Sequence, residues 1–455
     1  MSQSDPDVNS NPYRAPESDL RVDSGVTPSV PEQTPTIVWW ICGLLLLAST
    51  INYMDRQTLA NTSERITREF NLTETQYGSL EMAFGLAFAV GASLFGLIAD
   101  RTSVKWLYPT VLLLWSAMGF ATGLVESYTG LLLCRLFLGL FEAGHWPCAL
   151  KTTQRLLPSS QRTLGNSVLQ SGTAIGAMVT PLIIKSLITD QPGSWRPAFQ
   201  IIGLVGIGWI FLWVLITWNQ SLDGPSTGEK PGSAEDGNRG NERADQQSFV
   251  KVVFSRKFLT LVIAVIAINL CWHQYRVWMQ KFLMRGRSYD ELATLDVNFW
   301  FNVMTDVGCL ASGFATALLC RAGVTPHLSR VTVFGVCALL VSSGACLPWL
   351  PKGPALIAVL MVVGIGSLGL FPCYYSFTQE LSVKHQGKVS GTLGTIAWIF
   401  PSLWHREFGS WVDQTRSYDL GMCLASLMPL VAFIAICLIW PREQKIVQNA
   451  AGSMS

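Results

Sequence analysis

The sequence carries little charge. Asp, Glu, Lys and Arg make up 14% of its 455 residues, whereas about 25% is usual in soluble globular proteins. The net charge is only +2, and a nucleic-acid-binding protein would need a strongly basic surface. Hydrophobic residues reach 49% and the mean hydropathy is +0.34. This composition predicts a protein that is embedded in the lipid bilayer and has no nucleic-acid partner.

Enzyme motifs and metal-ligand spacings are also missing from the sequence. No glycine-rich phosphate loop joins a strand to a helix, and there is no nucleophile elbow. The 11 cysteines fall in apolar runs without the spacing of metal ligands. They indicate small buried side chains rather than a disulfide framework. We therefore expect no enzymatic activity, no cofactor and no metal site.

Polar segments divide the chain. Residues 1–35 are rich in proline, serine and acidic residues, which predicts a disordered cytoplasmic tail without a removable signal peptide. Residues 219–257 form a long polar connection that we interpret as a cytoplasmic linker, and 441–455 as a second tail. Two helical bundles are expected between these segments, at 36–218 and 258–440.

Twelve apolar segments are each near the roughly 20 residues that a helix needs to cross a bilayer. The predicted spans are 37–60, 77–99, 106–126, 129–150, 164–188, 197–218, 258–283, 292–320, 328–349, 354–379, 388–412 and 419–440. A Gly-Leu-Phe sequence at 139–141 recurs at 369–371, in the fourth span of each half. We predict an all-α membrane protein of two pseudo-symmetric six-helix bundles.

The distribution of basic residues predicts the orientation. With the N-terminus inside, the inner connections and the C-terminal tail carry 17 Lys and Arg residues, and the outer loops carry nine. Positive charge favours the cytoplasmic side. We therefore expect the protein in the inner membrane of the cell, with both termini in the cytoplasm.

Charged and histidine side chains within the spans concentrate in spans 1, 4, 7, 8 and 11, and the apolar stretches of the other spans are expected to have no charge. The residues are Asp55, Arg56, Arg135, Glu142, His273, Arg276, Asp306, His405, Arg406 and Glu407. A charge costs about 2.5–3.5 kcal/mol at the centre of a bilayer by insertion scales. Acids and bases are nearly matched, so we expect them to pair across a central cavity.

Several of these residues also have a structural interpretation. Asp55 and Arg56 can mark the end of the first span in the headgroup region, and Arg135 can extend to the interface. Asp306 can anchor a broken helix. The run at 405–407 cannot face one direction, so at least one member contacts a neighbouring helix or water.

The aromatic residues of the seventh span have two interpretations. Trp272, Tyr275 and Trp278 can belong to an interfacial belt, or they can stack on a ring-shaped substrate. His273 can cap a break in the span.

The segment 96–105 resembles the loop motif between spans 2 and 3 of the major facilitator superfamily. The matching residues are Gly96, Asp100, Arg101 and Lys105. Ser103 and Val104 depart from the motif. The resemblance implies that this loop ties adjacent helix ends together by charge on the inner face, and so takes part in gating rather than binding.

Four further segments resemble the anion:cation symporter family, especially its hexuronate transporter branch. They are 52–59, 139–151, 172–181 and 305–309. The resemblance extends over 37–440 and implies uptake of a sugar-acid anion with protons by alternating access. We expect a monomer whose partners are the small organic anion, protons and lipid.

The same resemblance implies residue roles. Arg56 looks like the arginine that engages the anion, and Asp55 and Glu142 look like protonatable acids. Arg135 looks like their counter-charge, and Gln170 resembles a polar cavity residue.

The predicted site also includes residues from the second half. Trp272, Tyr275, Arg276 and Trp398 are assigned to substrate binding, and Asp306 to proton coupling. The chain departs from sugar-acid transporters in three places: Phe88 stands where a cavity tyrosine is common, His273 and Arg276 are added, and 405–407 is charged.

Two other functions remain open at this point. A proton-driven exporter would keep the fold, but it would favour cations or large apolar solutes, and a cavity with several arginines argues against those. A membrane sensor would need a signalling domain, and we expect none in the tails.

Overall fold

A computed structural model defines the fold. It describes residues 36–157, 159–220, 222, 251–381 and 386–440. The predicted tails, including the disordered tail predicted at 1–35, and most of the predicted linker lie outside the described residues.

The described chain is helical, and none of its residues belongs to a β-strand. The first half comprises α1 (Thr36–Asn61), α2 (Ser63–Glu69), α3 (Glu74–Arg101), α4 (Val104–Thr122), α5 (Tyr128–Glu142), α6 (His145–Leu156), α7 (Ser159–Leu187) and α8 (Arg196–Thr217). The second half comprises α9 (Arg256–Lys281), α10 (Glu291–Arg321), α11 (Pro326–Ser342), α12 (Pro354–Leu381), α13 (Gln386–Thr415) and α14 (Asp419–Ile439). A π-helical turn, Phe282–Gly286, extends α9, and a 3-10 helix, Ser343–Trp349, extends α11.

Nine helical segments within the described ranges are long and apolar enough to cross a membrane. They belong to α1, α3, α7, α8, α9, α10, α11, α12 and α14. The other three of the twelve expected passages correspond to α4, to the pair α5 and α6, and to α13. In each of them the apolar stretch is limited: α4 carries Lys105 and Pro109, α5 and α6 are separated at Ala143 and Gly144, and α13 carries the polar run 405–407. The all-α membrane architecture is confirmed.

Both halves meet at the end of the bundle where α1 finishes and α3 begins, which we call the sealed end (residues 61–78, 185–196, 281–298 and 405–419). Ion pairs connect the halves there. They are Arg65–Glu291, Lys185–Asp296, Lys281–Glu74, Arg285–Glu64 and Arg285–Glu74. In the basic segment 281–291, Lys281 and Arg285 therefore pair with acids of α2 and α3, and Arg287 pairs with Asp419.

Helices α3 and α13 join the two halves by a close backbone approach. A Cβ atom at Gly78 would lie 2.1 Å from the carbonyl oxygen of His405, and one at Gly409 would lie 2.2 Å from that of Glu74. Asp413 accepts hydrogen bonds from the backbone N–H groups of Glu74 and Thr75, both at 2.8 Å. It thus caps the first turn of α3, where N–H groups lack helical partners. Glycine is required at both contacts, since any side chain would push the helices apart.

Candidate functional site

The central feature of the site is an ion pair between α1 and α5. Arg56 lies five residues before the end of α1, and its Nε donates to Oε1 of Glu142. Glu142 is the last residue of α5, because the chain turns at Ala143 and Gly144 before α6 begins. Both side chains are buried. The first helix thus continues past Tyr53 to Asn61, and Arg56 is enclosed by protein rather than placed at a helix end.

Aromatic rings surround the guanidinium group of Arg56. Its Cζ lies 5.3 Å from the ring centroid of Tyr53, 4.7 Å from Phe88 and 5.1 Å from Trp398. Rings at these distances attract a cation through their negative faces. Trp398 also packs on Phe88, with ring centroids 4.4 Å apart, and so brings α13 of the second half to the arginine. Phe88 stands at the position where sugar-acid transporters commonly have a cavity tyrosine. It provides an aromatic ring there but lacks the hydroxyl group.

Glu81 of α3 was missed by the sequence analysis. The expectation that the second span carries no charge is wrong, since Glu81 lies within it and is 1% exposed. Its Oε1 accepts from Nη2 of Arg135 at 3.2 Å, and its Oε2 accepts from Nη2 of Arg276 at 2.9 Å. One carboxylate thus bridges two arginines from different halves. The sequence did contain a signal for a buried acid here, since Glu81 stands between Leu80 and Met82 and is followed by an uncharged run.

Arg135 does not form an ion pair with Glu142, although the resemblance implies that it is the counter-charge of the acids. Arg135 and Glu142 lie two turns apart on α5, but Arg135 pairs with Glu81 and Glu142 pairs with Arg56. Both residues of α5 therefore bind side chains on neighbouring helices, and α5 connects α1 with α3.

Residues of α9 and α13 complete the second half of the site. His273 lies beside Trp398, with ring centroids 4.8 Å apart, and its Nδ1 is 3.4 Å from Nη2 of Arg276. His405 accepts the indole N–H of Trp278 at 3.1 Å. Within the run 405–407, His405 is buried, and the other two residues are exposed. This confirms that the run does not face one direction.

Asp55 is buried next to α4, and neither of its carboxylate oxygens has a hydrogen-bond partner in the described structure. A Cβ atom at Gly119 of α4 would lie 2.9 Å from its Oδ1. A buried charge without a partner is costly, and uptake of a proton would remove that charge.

Unpartnered polar atoms are concentrated around these groups. Within the described residues, the buried atoms without a partner include Nη2 of Arg56, Nε and Nη1 of Arg135, Nε and Nη1 of Arg276, and Oε2 of Glu142. Buried polar groups are normally hydrogen-bonded. Guanidinium groups are also well shaped to donate two parallel hydrogen bonds to a carboxylate. The cluster can therefore bind an organic anion.

Other predicted site residues lie apart from this cluster. The hydroxyl of Tyr275 hydrogen-bonds Ser426 at 2.6 Å inside the second half, and Trp272 lies in the same apolar core. Gln170 is exposed on α7, and Asp306 is partly exposed on α10. Among the described residues, no hydrogen bond, ion pair or ring contact connects these four side chains with Arg56 or Glu142.

The predicted gating motif lies at the opposite end of α3. Because α3 has 28 residues, that end is about 40 Å from the sealed end. Nζ of Lys105 donates to the carbonyl oxygen of Trp218 at 2.7 Å, which ties the start of α4 to the end of α8. Arg101 is exposed, and a Cβ atom at Gly96 would meet no neighbour within 4 Å. The side chain of Asp100 lies outside the described residues.

Comparison with known protein families gives one match over most of the chain. The model of the Major Facilitator Superfamily matches residues 45–404. The hexuronate transporter of Escherichia coli (strain K12) is 23% identical over 393 residues, which cover 85% of this chain and 90% of that protein. The galacturonate transporter of Dickeya chrysanthemi is 22% identical and covers 74% of this chain and 92% of its own length.

A solved structure shows the same architecture. A bacterial homolog of the human lysosomal transporter Spinster, in an inward-facing and unoccupied conformation, superposes with a TM-score of 0.71. The match covers 90% of this chain and 96% of that protein at 16% sequence identity. At this identity, the similarity is evidence for the fold alone.

Proposed function

Since this chain belongs to the Major Facilitator Superfamily, we propose that it takes up a sugar-acid anion of the hexuronate class together with protons. The chain is a multi-pass membrane transporter and not an enzyme, as its relatives and structural neighbours are transporters. The substrate class follows from relatives named as hexuronate and galacturonate transporters. The observation that carries the proposal is the buried ion pair of Arg56 with Glu142.

Competition for Arg56 would link the anion to the proton. A substrate carboxylate that binds the guanidinium group displaces Glu142, which then loses the charge that balances it. A proton on Glu142 removes the cost of that buried charge. Each ligand thereby favours binding of the other, which is the thermodynamic requirement for coupling. Asp55, also buried and without a partner, is the second protonatable group in the proposal.

Alternating access would proceed by movement of the two halves about this central site. In this proposal the bundles comprise 36–218 and 258–440, and a monomer is sufficient because the cluster draws on both. With both termini cytoplasmic in the cell membrane, the sealed end faces outward. Entry from outside then requires the ion pairs of the sealed end to separate, while the motif around Lys105 holds the inner helix ends.

Uptake into proteoliposomes tests the proposal. The purified full-length chain is reconstituted with the interior more alkaline than the exterior, and labelled galacturonate or glucuronate is added outside. We expect accumulation above the external concentration, and its loss when a protonophore removes the gradient. Uptake that does not depend on the gradient would refute proton coupling, and the absence of uptake would refute the substrate class.

A further inference from the structure

His145 is a buried histidine that the proposed function does not use. It is the first residue of α6, three positions after Glu142 and on the other side of the helix break. Its side chain is completely buried, and both ring nitrogens have partners. Nε2 lies 3.0 Å from the hydroxyl oxygen of Ser49, and Nδ1 lies 2.8 Å from that of Tyr108. The break that follows Glu142 is therefore attached to both α1 and α4.

Helix α1 contacts this break twice. Ser49 lies seven residues before Arg56, which places the two side chains two turns apart on one face of α1. Arg56 binds Glu142 before the break, and Ser49 binds His145 after it. The first contact is an ion pair, whereas the second joins a hydroxyl group to an imidazole ring.

The second contact involves uncharged groups. Among the described residues, both hydrogen-bond partners of His145 are hydroxyl groups. A buried imidazolium ion without a carboxylate partner would be costly, so the ring is neutral, and one nitrogen donates while the other accepts. A proton on Glu142 and a substrate anion at Arg56 would therefore open the ion pair but leave the hydrogen bond between Ser49 and His145 intact.

The groups that hold His145 belong to the first half of the molecule. The ring centroid of Tyr108 lies 5.0 Å from that of Trp209 and 5.1 Å from that of Trp213, both on α8. The indole N–H of Trp209 donates to the carbonyl oxygen of Leu44 on α1 at 2.6 Å. The contact thus lies within one bundle and can persist while the two halves move against each other.

We propose that His145 is a positioning residue that holds Glu142 within reach of Arg56 while their ion pair is open. The hydrogen bond to Ser49 keeps the end of α5 beside α1, so Glu142 returns to Arg56 as soon as the substrate leaves. Renewed pairing uses the charged carboxylate, so Glu142 then gives up its proton. Release of the substrate and release of the proton remain linked in each cycle. This inference rests on the proposed function and assigns the residue that keeps its coupling tight.

Uptake by reconstituted full-length variants tests the inference. His145→Phe keeps an aromatic ring but removes both nitrogens, and Ser49→Ala removes the hydroxyl group on α1. We expect both variants to bind galacturonate as the wild type does. Their accumulation of galacturonate under a pH gradient should fall by about fivefold, in line with the loss of one buried hydrogen bond.

Two further variants show whether the effect depends on the hydrogen bond. His145→Gln should restore accumulation, because the amide group can still bond the hydroxyl of Ser49. Thr50→Val is the matched control on α1, since the hydroxyl of Thr50 donates to the carbonyl oxygen of Leu46 within the same helix. It should accumulate galacturonate as the wild type does.

Infrared spectroscopy of the purified protein provides a readout that needs no substrate. The C=O stretching band of protonated Glu142 is identified by its absence in Glu142→Gln. We expect a broader band in His145→Phe than in the wild type, because a carboxyl group that is not held in place samples several environments. Thr50→Val should leave the width of the band unchanged.

The outcomes separate this inference from the proposed function. Wild-type accumulation in both His145→Phe and Ser49→Ala, a loss that His145→Gln does not restore, or an unchanged band width would overturn the positioning role. Loss of galacturonate binding together with uptake in His145→Phe would show that the ring only supports the fold. Ser49→Ala removes a single oxygen atom and carries the test if His145→Phe does not fold. If the wild type takes up no galacturonate but the band broadens in His145→Phe, the substrate class is wrong and the positioning role stands.

Discussion

Arg56 in α1 and Glu142 at the end of α5 form a buried ion pair across 86 positions of sequence. The pair depends on the interruption of the fourth passage, because Glu142 is followed by the turn at Ala143 and Gly144. His145, the first residue of α6, stabilises this turn through hydrogen bonds with Ser49 at 3.0 Å and Tyr108 at 2.8 Å. The geometry of the Arg56–Glu142 pair is thus set by contacts on both sides of a helix break.

Replacement of Arg56 by lysine should weaken substrate binding by about tenfold or more, although the charge is retained. A guanidinium group offers two parallel donors to a carboxylate, whereas an ammonium group is a point charge. The measurement is the affinity for galacturonate or glucuronate, with Arg406→Lys as the exposed control. Affinity equal to the wild type would remove Arg56 from the binding site.

Glu142→Gln should bind and exchange substrate across the membrane but fail to accumulate it. The amide resembles the protonated acid and cannot release a proton. Reconstituted vesicles distinguish counterflow, which needs only exchange, from uptake driven by a pH gradient. Glu407→Gln is the control, since Glu407 is exposed. Normal accumulation by Glu142→Gln would exclude Glu142 from coupling and leave Asp55 as the candidate.

A methyl group at Gly409 should open the sealed end. A Cβ there would lie 2.2 Å from the carbonyl oxygen of Glu74, so α3 and α13 cannot keep their distance. Spin labels at the exposed positions 190 and 416 report the separation of the halves. We expect Gly409→Ala to shift the distance distribution toward longer values. Gly391→Ala, on the same helix but with nothing within 4 Å, should not. Unchanged distances in Gly409→Ala would show that the helices tolerate the methyl group.

The ion pair of Glu64 with Arg285 at the sealed end should not respond to pH between 5 and 8. Burial alone would raise the pKa of Glu64, but its hydrogen bond to Arg285 and the nearby charges of Arg285, Lys281 and Arg68 hold that pKa below its ordinary value of 4.5. A carboxyl with a lowered pKa stabilises the folded contact above its ordinary pKa and loses this effect as the pH falls through the lowered value.

The pH profile of uptake checks this expectation. Glu64→Gln and the wild type should show parallel changes in uptake rate from pH 5 to pH 8, because Glu64 stays ionised throughout. Parallel profiles would exclude Glu64 as the source of the pH dependence in that range. Loss of the pH dependence in Glu64→Gln would instead assign it to the sealed end.

The orientation predicts which side of the membrane each loop occupies. A cysteine introduced at position 235 in the predicted linker should react with an impermeant thiol reagent only after the cells are opened. A cysteine at position 352, in a predicted outer loop, should react in intact cells. These expectations follow from the count of 17 basic residues against nine, which favours cytoplasmic termini. Labelling of position 235 in intact cells would contradict this topology.

Helix positions were largely predictable from the sequence. The first span, expected at 37–60, is Thr36–Asn61, and the last, expected at 419–440, is Asp419–Ile439. Length and apolar composition determine such passages, because every backbone polar group in lipid must be paired within its own helix. The fourth span, expected as one helix at 129–150, is instead broken. Ser49 and Tyr108, which lie on other helices, stabilise this break through hydrogen bonds with His145. Such contacts between distant segments cannot be predicted from the local sequence.

The sequence by itself determined that this chain is a membrane protein of twelve passages and that arginines and acids lie within them. Only the tertiary structure decided which of them meet. Arg56 pairs with Glu142 over 86 positions, Arg135 with Glu81 over 54, and Arg276 with Glu81 over 195. The physical reason is that a buried charge normally needs a partner. The sequence shows which charged residues lie within apolar segments and so have this need. The choice of partner depends on which helix faces pack together, and the distance along the chain does not encode that arrangement.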